Sequence, residues 1–279
     1  MSGILKYNKS LFFVLLLLLL IIINSCKKDA TATSPDNTTP ALDCVNAENF
    51  FVDAKNIVDE AGFKNGAFNG ILNDTSITVQ YDTLNHANPD TILINFGAND
   101  ILCTDGRARK GKITTIFNGH YADTAKTHTI TFTNYYVDNN ALTGTILDSY
   151  KGLNSSGHQH FTDTITGKMI YVSNKIVTFI ATNKFQFITG DSTTIWSNHK
   201  MTITGNTSGY ASDGTGYSTY VSTPLLRNFA NGCRKYLSQG VIQVAETNLP
   251  YSAANLGNGN CNGIIIVGVN GNNYTLNAN

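Results

Sequence analysis

The chain is poor in charge. Only 14% of its 279 residues are Asp, Glu, Lys or Arg, and the 19 bases balance the 19 acids, so the formal net charge is zero. A neutral chain lacks the basic footprint of a nucleic-acid binder, and no nucleic-acid partner is expected. Proline (5) and Trp (1) are scarce, and C-x-x-C spacing is missing, which argues against a Cys-based zinc site. Catalytic signatures are missing too: there is no G-x-S-x-G elbow, no phosphate-binding G-x-x-x-x-G-K-[ST] loop and no H-E-x-x-H. The segment Gly97-Ala98-Asn99-Asp100 has a hydrolase-like flavour but stands without companions. No catalytic residue and no cofactor is assigned, and the role is expected to be non-enzymatic.

What is abundant points to strands and turns. Asn and Thr together number 68, and Gly 24, while 42% of the chain is hydrophobic. That supplies a core and rules out global disorder. It is the composition of half-exposed strands and turns rather than of a helical bundle.

The single long apolar run, residues 11–23, follows Lys6 and Lys9 and precedes Asn24, Ser25 and Cys26. A charged leader, an apolar stretch and a small residue before the cut form an export signal. At 13 residues the run falls short of the ~17–25 that span a bilayer. A Cys at this place resembles the lipobox of bacterial lipoproteins. Residues 1–25 are then a signal peptide, and Cys26 becomes the lipidated first residue. Acyl chains such as palmitate anchor the chain to the membrane, several chains holding where one would be marginal. The resemblance to lipoprotein sorting signals, with Lys27 rather than Asp after the Cys, implies the outer membrane, and the Cys-Lys-Lys-Asp start favours surface display. Residues 27–42 hold almost nothing bulky and apolar, so 26–43 are read as a flexible tether and 44–279 as one β-rich domain.

Removing Cys26 leaves Cys44, Cys103, Cys233 and Cys261. An even count in an exported chain suggests two disulfides, for which three pairings exist. Proximity in sequence favours Cys233–Cys261 and Cys44–Cys103.

Over residues 46–61 the apolar positions Phe50, Phe51, Ala54, Ile57, Val58 and Ala61 mark one face of an amphipathic helix. Glu48, Asp53, Lys55, Asp59 and Glu60 fall mostly off that face. Asn46 is a candidate N-cap and Gly62 a candidate C-terminal stop. From residue 75 the period becomes two. Strands are predicted over 77–81, 91–96, 113–117, 128–137, 143–149, 159–166, 169–172, 176–181, 185–189, 195–197, 201–204, 217–221, 236–244, 264–269 and 274–276. Asp138-Asn139-Asn140, Ser173-Asn174 and Asn270-Gly271 mark turns between them. Short strands without intervening helices exclude a doubly wound parallel sheet and imply antiparallel connections. The fold class is mainly β: an antiparallel meander, as an open curved sheet with the helix across its mouth, a sandwich or a barrel.

The segment 103–113 (CTDGRARKGKI), then 117–121 (FNGHY), 131–137 (TFTNYYV), Pro224-Leu225-Leu226, Cys233 and 257–262 (GNGNCN) resemble, in that order, a group of Bacteroidota outer-membrane lipoproteins of unassigned chemistry. The likeness runs from about residue 44 to the end. It implies an outer-membrane location and a β-rich fold and leaves the function open.

Three sets of residues are candidate sites. Asp105, Arg107 and Arg109 bring two guanidinium forks that suit a carboxylate, sulfate or phosphate. The same residues also read as a turn flanking a solvated strand start. His158 and His160, two apart on a strand, share a face. A metal would need a further ligand from His120, His128, His199 or a carboxylate, and none is assigned. Tyr135, Tyr136, Tyr171, Trp196, Tyr210, Tyr217 and Tyr220, among Asn, Thr and Asp, could stack on sugar rings, or serve as ordinary strand residues. The expected partners are the membrane, through the lipid, and a glycan or envelope protein. The alternatives are a periplasm-facing carrier with an apolar ligand under the helix, and a hydrolase built on convergent carboxylates or a metal.

Overall fold

The computed structural model describes residues 36–64, 70–82, 90–193 and 195–279, with only the backbone of residue 64. The signal peptide, Cys26 and the start of the tether lie outside the described residues. Among the described residues one α-helix, α1 (Thr39–Lys64), precedes thirteen strands. These are β1 (Thr78–Asp82), β2 (Asp90–Leu102), β3 (Ala108–Phe117), β4 (Thr127–Val137), β5 (Asn140–Leu153), β6 (Gln159–Ile170) and β7 (Ile176–Thr189). They continue as β8 (Lys200–Tyr210), β9 (Gly216–Asn228), β10 (Leu237–Glu246), β11 (Ser252–Asn258), β12 (Ile264–Val269) and β13 (Asn272–Asn277). Each pairs with its neighbours in sequence order, all antiparallel, in one open sheet. The meander is thus an open curved sheet.

Turn chemistry sets the connections. Asp138 and Asn139 (φ 49° and 64°) join β4 to β5, and Asn270 and Gly271 (φ 52° and 80°) join β12 to β13. Both left-handed pairs match the twist of a tight hairpin. Several strands are longer than the periodicity suggested. Residues 159–172 split into two predicted strands around Gly167, yet β6 runs through it. Glycine is there for space: a Cβ would lie 2.5 Å from the Phe51 ring of α1. Residues 196–198 form a 3-10 turn instead of a strand, and β11 went unpredicted because its alternation is carried by Ser, Ala and Asn.

The helix is where structure and expectation diverge most. It starts at Thr39, not Asn46, with the Thr39 N–H donating to Asn37 Oδ1 (3.0 Å). It runs through Gly62, where Tyr121 packs, to Lys64. Ahead of it, Asp36 accepts hydrogen bonds from Asn270, Asn272 and Tyr274 of the β12–β13 hairpin. Residues 36–43, read above as the end of the tether, are therefore part of the folded unit: Asp36 is held by the hairpin and residues 39–43 lie in α1. The helix does not lie across a mouth; it fills the inner face of the sheet. It touches β2–β7, β10 and β11.

Two apolar clusters flank it. Phe50, Phe51, Ala54, Ile57, Val58 and Ala61 pack with side chains of β2–β7. Ala41, Cys44, Val45 and Val52 pack with side chains of β5–β12. Phe51 stacks on Phe179 at 5.3 Å. The disulfide expectation is half corrected. Cys233 and Cys261 are bonded (Cα–Cα 4.7 Å), whereas Cys44 and Cys103 are free thiols. The physical reason is the helix: Cys44 belongs to one flanking cluster and Cys103 to the other.

Candidate functional site

A helix enclosed by a sheet must satisfy its polar side chains inside the protein, because an unpaired buried charge costs several kcal/mol. Glu48, Asn49, Asp53, Lys55, Asp59 and Glu60 are all at most 3% exposed. Helical periodicity sorts them into two stripes. Asn49, Asp53 and Glu60 face a cluster of arginines. Glu48, Lys55 and Asp59 face β5–β7 and Tyr121.

On the first stripe, each of three arginines meets one helix residue. Arg109 Nη2 donates to Asp53 Oδ2 (2.7 Å), Arg227 Nη2 to Asn49 Oδ1 (2.7 Å) and Arg234 Nη2 to Glu60 Oε2 (2.8 Å). Arg109 also binds both oxygens of Asp105 (2.8 and 2.6 Å). Burial works against the Asp105 carboxylate, but the Arg109 guanidinium outweighs it and holds the group well below the usual carboxylate range. Arg107 donates to Asp138 Oδ2 and to the Lys235 carbonyl (each 2.6 Å) and covers the Phe50 ring. Burial, with Arg107 and Arg234 nearby, lowers Arg227 to about 10. Glu60 accepts N–H bonds from Gly70, Ile71 and Leu72, fixing the short 3-10 turn at Ile71–Asn73.

The anion-site expectation is therefore corrected. Asp105, Arg107 and Arg109 come together, but Arg107 and Arg109 are fully buried and already paired. Nor do they flank a solvated strand start. Arg109 occupies an inward position of β3, like Ile113, Thr115 and Phe117. They are structural clamps between sheet and helix.

On the second stripe, Glu48 Oε1 accepts from Asn183 Nδ2 (2.8 Å), and burial pushes its carboxyl up to about 7. Lys55 pairs with Asp59 (2.7 Å) and Asp148 (3.4 Å). Nothing in the apolar spacing of 46–61 signalled these contacts. The clue available was the spacing of the polar residues themselves, which repeats at three and four residues as regularly as the apolar set.

The aromatic candidates separate. Tyr135 (1% exposed) and Trp196 (2%) are core residues. Tyr135 stacks on Phe132, and Trp196 packs with Phe187, His199 and Phe229. Neither can meet a ligand from solvent. Tyr136 is half-buried on the outer face, under the Lys110 ammonium (4.9 Å), in a shallow groove with Gly97, Gly111 and Thr133. The two strand histidines have separate partners: His158, just before β6, meets Asp191 (2.9 Å), and His160 meets the Gly152 carbonyl (3.1 Å). Among the described residues no three His, Cys, Asp or Glu side chains are grouped to hold a metal.

The accessible chemistry lies on the outer face of the sheet. Register aligns hydroxyls across strands β3–β9: Thr114, Thr131, Thr145, Thr166, then Ile180, Ser208 and Ser218. The neighbouring row runs Thr129, Leu147, Thr164, Thr182, Asn206 and Tyr220. Tyr210 (62% exposed) and Tyr220 (56%) rise from this face. Tyr210 borders a groove floored by Gly209 and Gly216 and edged by Ile180, Ser208 and Thr247. The two acids of β5 and β6, Asp148 and Asp163, point inward, so the charges that β5–β7 show to solvent are Lys151, Lys168 and Lys184.

No family model, curated protein or solved structure matches this chain.

Proposed function

We propose that the chain is an outer-membrane lipoprotein, lipidated at Cys26 and displayed at the cell surface, whose β domain is a non-enzymatic binding module for a polysaccharide. One observation carries the reading. The inner face of the sheet is occupied by the protein's own helix, so binding falls to an outer face paved with Thr, Ser and Asn around two exposed tyrosines. Tyrosine rings cover the apolar faces of sugars, and hydroxyl and amide groups bond sugar hydroxyls. A carrier of an apolar ligand would need the space that α1 fills.

The test is affinity electrophoresis of the purified full chain in gels containing neutral or acidic polysaccharides. Retardation is expected with at least one of them. Tyr210→Ala combined with Tyr220→Ala is expected to weaken it roughly tenfold or more, on the scale of two lost aromatic contacts. Retardation unchanged by the double substitution would refute the assignment of the face. The anchor is tested separately by palmitate labelling, which Cys26→Ala should abolish.

A further inference from the structure

The chemistry around the buried lysine exceeds what an ion pair requires. Lys55 is fully buried, as are Asp59 and Asp148. Its Nζ is 2.7 Å from Asp59 Oδ2 and 3.4 Å from Asp148 Oδ1, and lies over the Phe161 and Phe185 rings at 4.1 and 5.0 Å. Tyr121 donates its hydroxyl to the other Asp59 oxygen (2.9 Å). On Asp148, His128 Nδ1 is 3.3 Å from Oδ2, while Oδ1 makes no hydrogen bond. The His128 ring stacks on Tyr121 at 3.9 Å. Asp163, opposite Asp148 in the β5–β6 register, adds a third buried carboxyl. Burial works to lower the Lys55 ammonium, but Asp148 and Asp59 outweigh it and the net direction is up. Burial raises Asp59 despite Lys55, which makes it a better proton acceptor.

These are the parts of an amide-forming site. They comprise an amine, a carboxyl group whose Oδ1 lies 3.4 Å from it, a second carboxyl within hydrogen-bond reach of the amine, and an imidazole at the oxygen that would leave. Water is excluded around them.

We propose that Lys55 and Asp148 condense in the folded core to an isopeptide bond that ties α1 to β5. Asp59 takes a proton from Nζ. The freed amine attacks Asp148 Cγ, and a C–N bond forms. The Cγ–Oδ2 bond then breaks, with His128 hydrogen-bonded to the departing oxygen. That oxygen leaves as water with two protons that began on Nζ, one of them returned by Asp59, and the amide nitrogen keeps the third. An ammonium and a carboxylate become an amide and one water, so atoms and charge balance without oxidant or cofactor. In water the condensation is uphill. Here it removes two desolvated charges, and the fold supplies the high effective concentration of preset neighbours. Asp59 is the closer carboxylate, but it lies one turn along the same helix, with its other oxygen tied to the Tyr121 hydroxyl.

The experiment is tryptic peptide mapping of the full chain after complete unfolding. The expected product is a branched species joining residues 29–64 to residues 127–151, lighter than the two together by one water, with cleavage at Lys55 blocked. Separate peptides, with cleavage after Lys55 and an intact 127–151, would overturn the proposal. So would loss of one water within 29–64 alone, which would assign the bond to Asp59. Asp59→Asn keeps the shape but cannot accept the proton. It is expected to slow branching about 100-fold or more after refolding. Branching at the wild-type rate in that variant would overturn the proton-transfer role.

Discussion

Replacing Glu48 by Gln should make the protein more stable at neutral pH and leave it nearly unchanged at acid pH. Glu48 is 3% exposed and its Oε1 accepts the Asn183 amide (2.8 Å), a bond that Gln can also accept. Burial raises its carboxyl from 4.5 to about 7, against the pull of Asn183 and Arg227. Between those values the folded protein holds a proton that the unfolded chain has released, so stability falls as pH rises through the window. At ~1.4 kcal/mol per pH unit, the wild type has lost about 3 kcal/mol by pH 7 to 8 relative to a neutral isostere. Other buried groups titrate as well, so the quantity to measure is the difference between Glu48→Gln and wild type. Urea unfolding from pH 4.5 to 8 should show this difference grow from near zero to about 3 kcal/mol. A difference that does not change with pH would refute the reasoning, because the carboxyl would then be charged in both states throughout.

Further substitutions probe the clamps between helix and sheet. Arg109→Met removes the one guanidinium bonded to both Asp53 and Asp105, and should cost about 3–5 kcal/mol in urea unfolding at pH 7. Gly167→Ala places a methyl against the Phe51 ring and should cost about 1–3 kcal/mol, visible as a lowered Tm. Cys233→Ser opens the link between residues 233 and 261, 28 apart in sequence, and should cost about 3 kcal/mol, matched by reducing the wild type with dithiothreitol. Reduction should change nothing in the Cys233→Ser protein, because Cys44 and Cys103 are already free thiols.

The strands were legible because alternation is a local property: in β7 the residues Val177, Phe179, Ala181, Asn183, Phe185 and Phe187 all point inward. So were the hairpins, since left-handed Asn and Gly residues declare themselves in the sequence. The position of the helix was not legible. Phe50, Phe51, Ile57 and Val58 predict one apolar face, and Glu48, Asp53, Lys55 and Glu60 then look like a polar side. Their partners come from far away in the chain: Arg109 for Asp53, Asn183 for Glu48, Asp148 for Lys55, Arg234 for Glu60. Only the folded sheet brings them within reach. The Cys44–Cys103 pairing failed for the same reason, since proximity in sequence takes no account of a helix standing between two clusters. Arg107 and Arg109 looked like an anion site because side-chain type says nothing about Arg109 facing inward on β3 or Arg107 being buried in the turn before it. The alignment of hydroxyls on the outer face around Tyr210 and Tyr220, the surface proposed for binding, emerges only from register.

The functional reading stands on α1 being a permanent core rather than a lid over an apolar pocket. Native-state hydrogen exchange on the full chain, with and without added palmitic acid, tests this directly. The account predicts that the amides of residues 46–61 exchange only through global unfolding, at a rate palmitic acid does not alter. Exchange of the helix through a lower-energy opening, shifted when the fatty acid is added, would contradict it and make the inner face a ligand site.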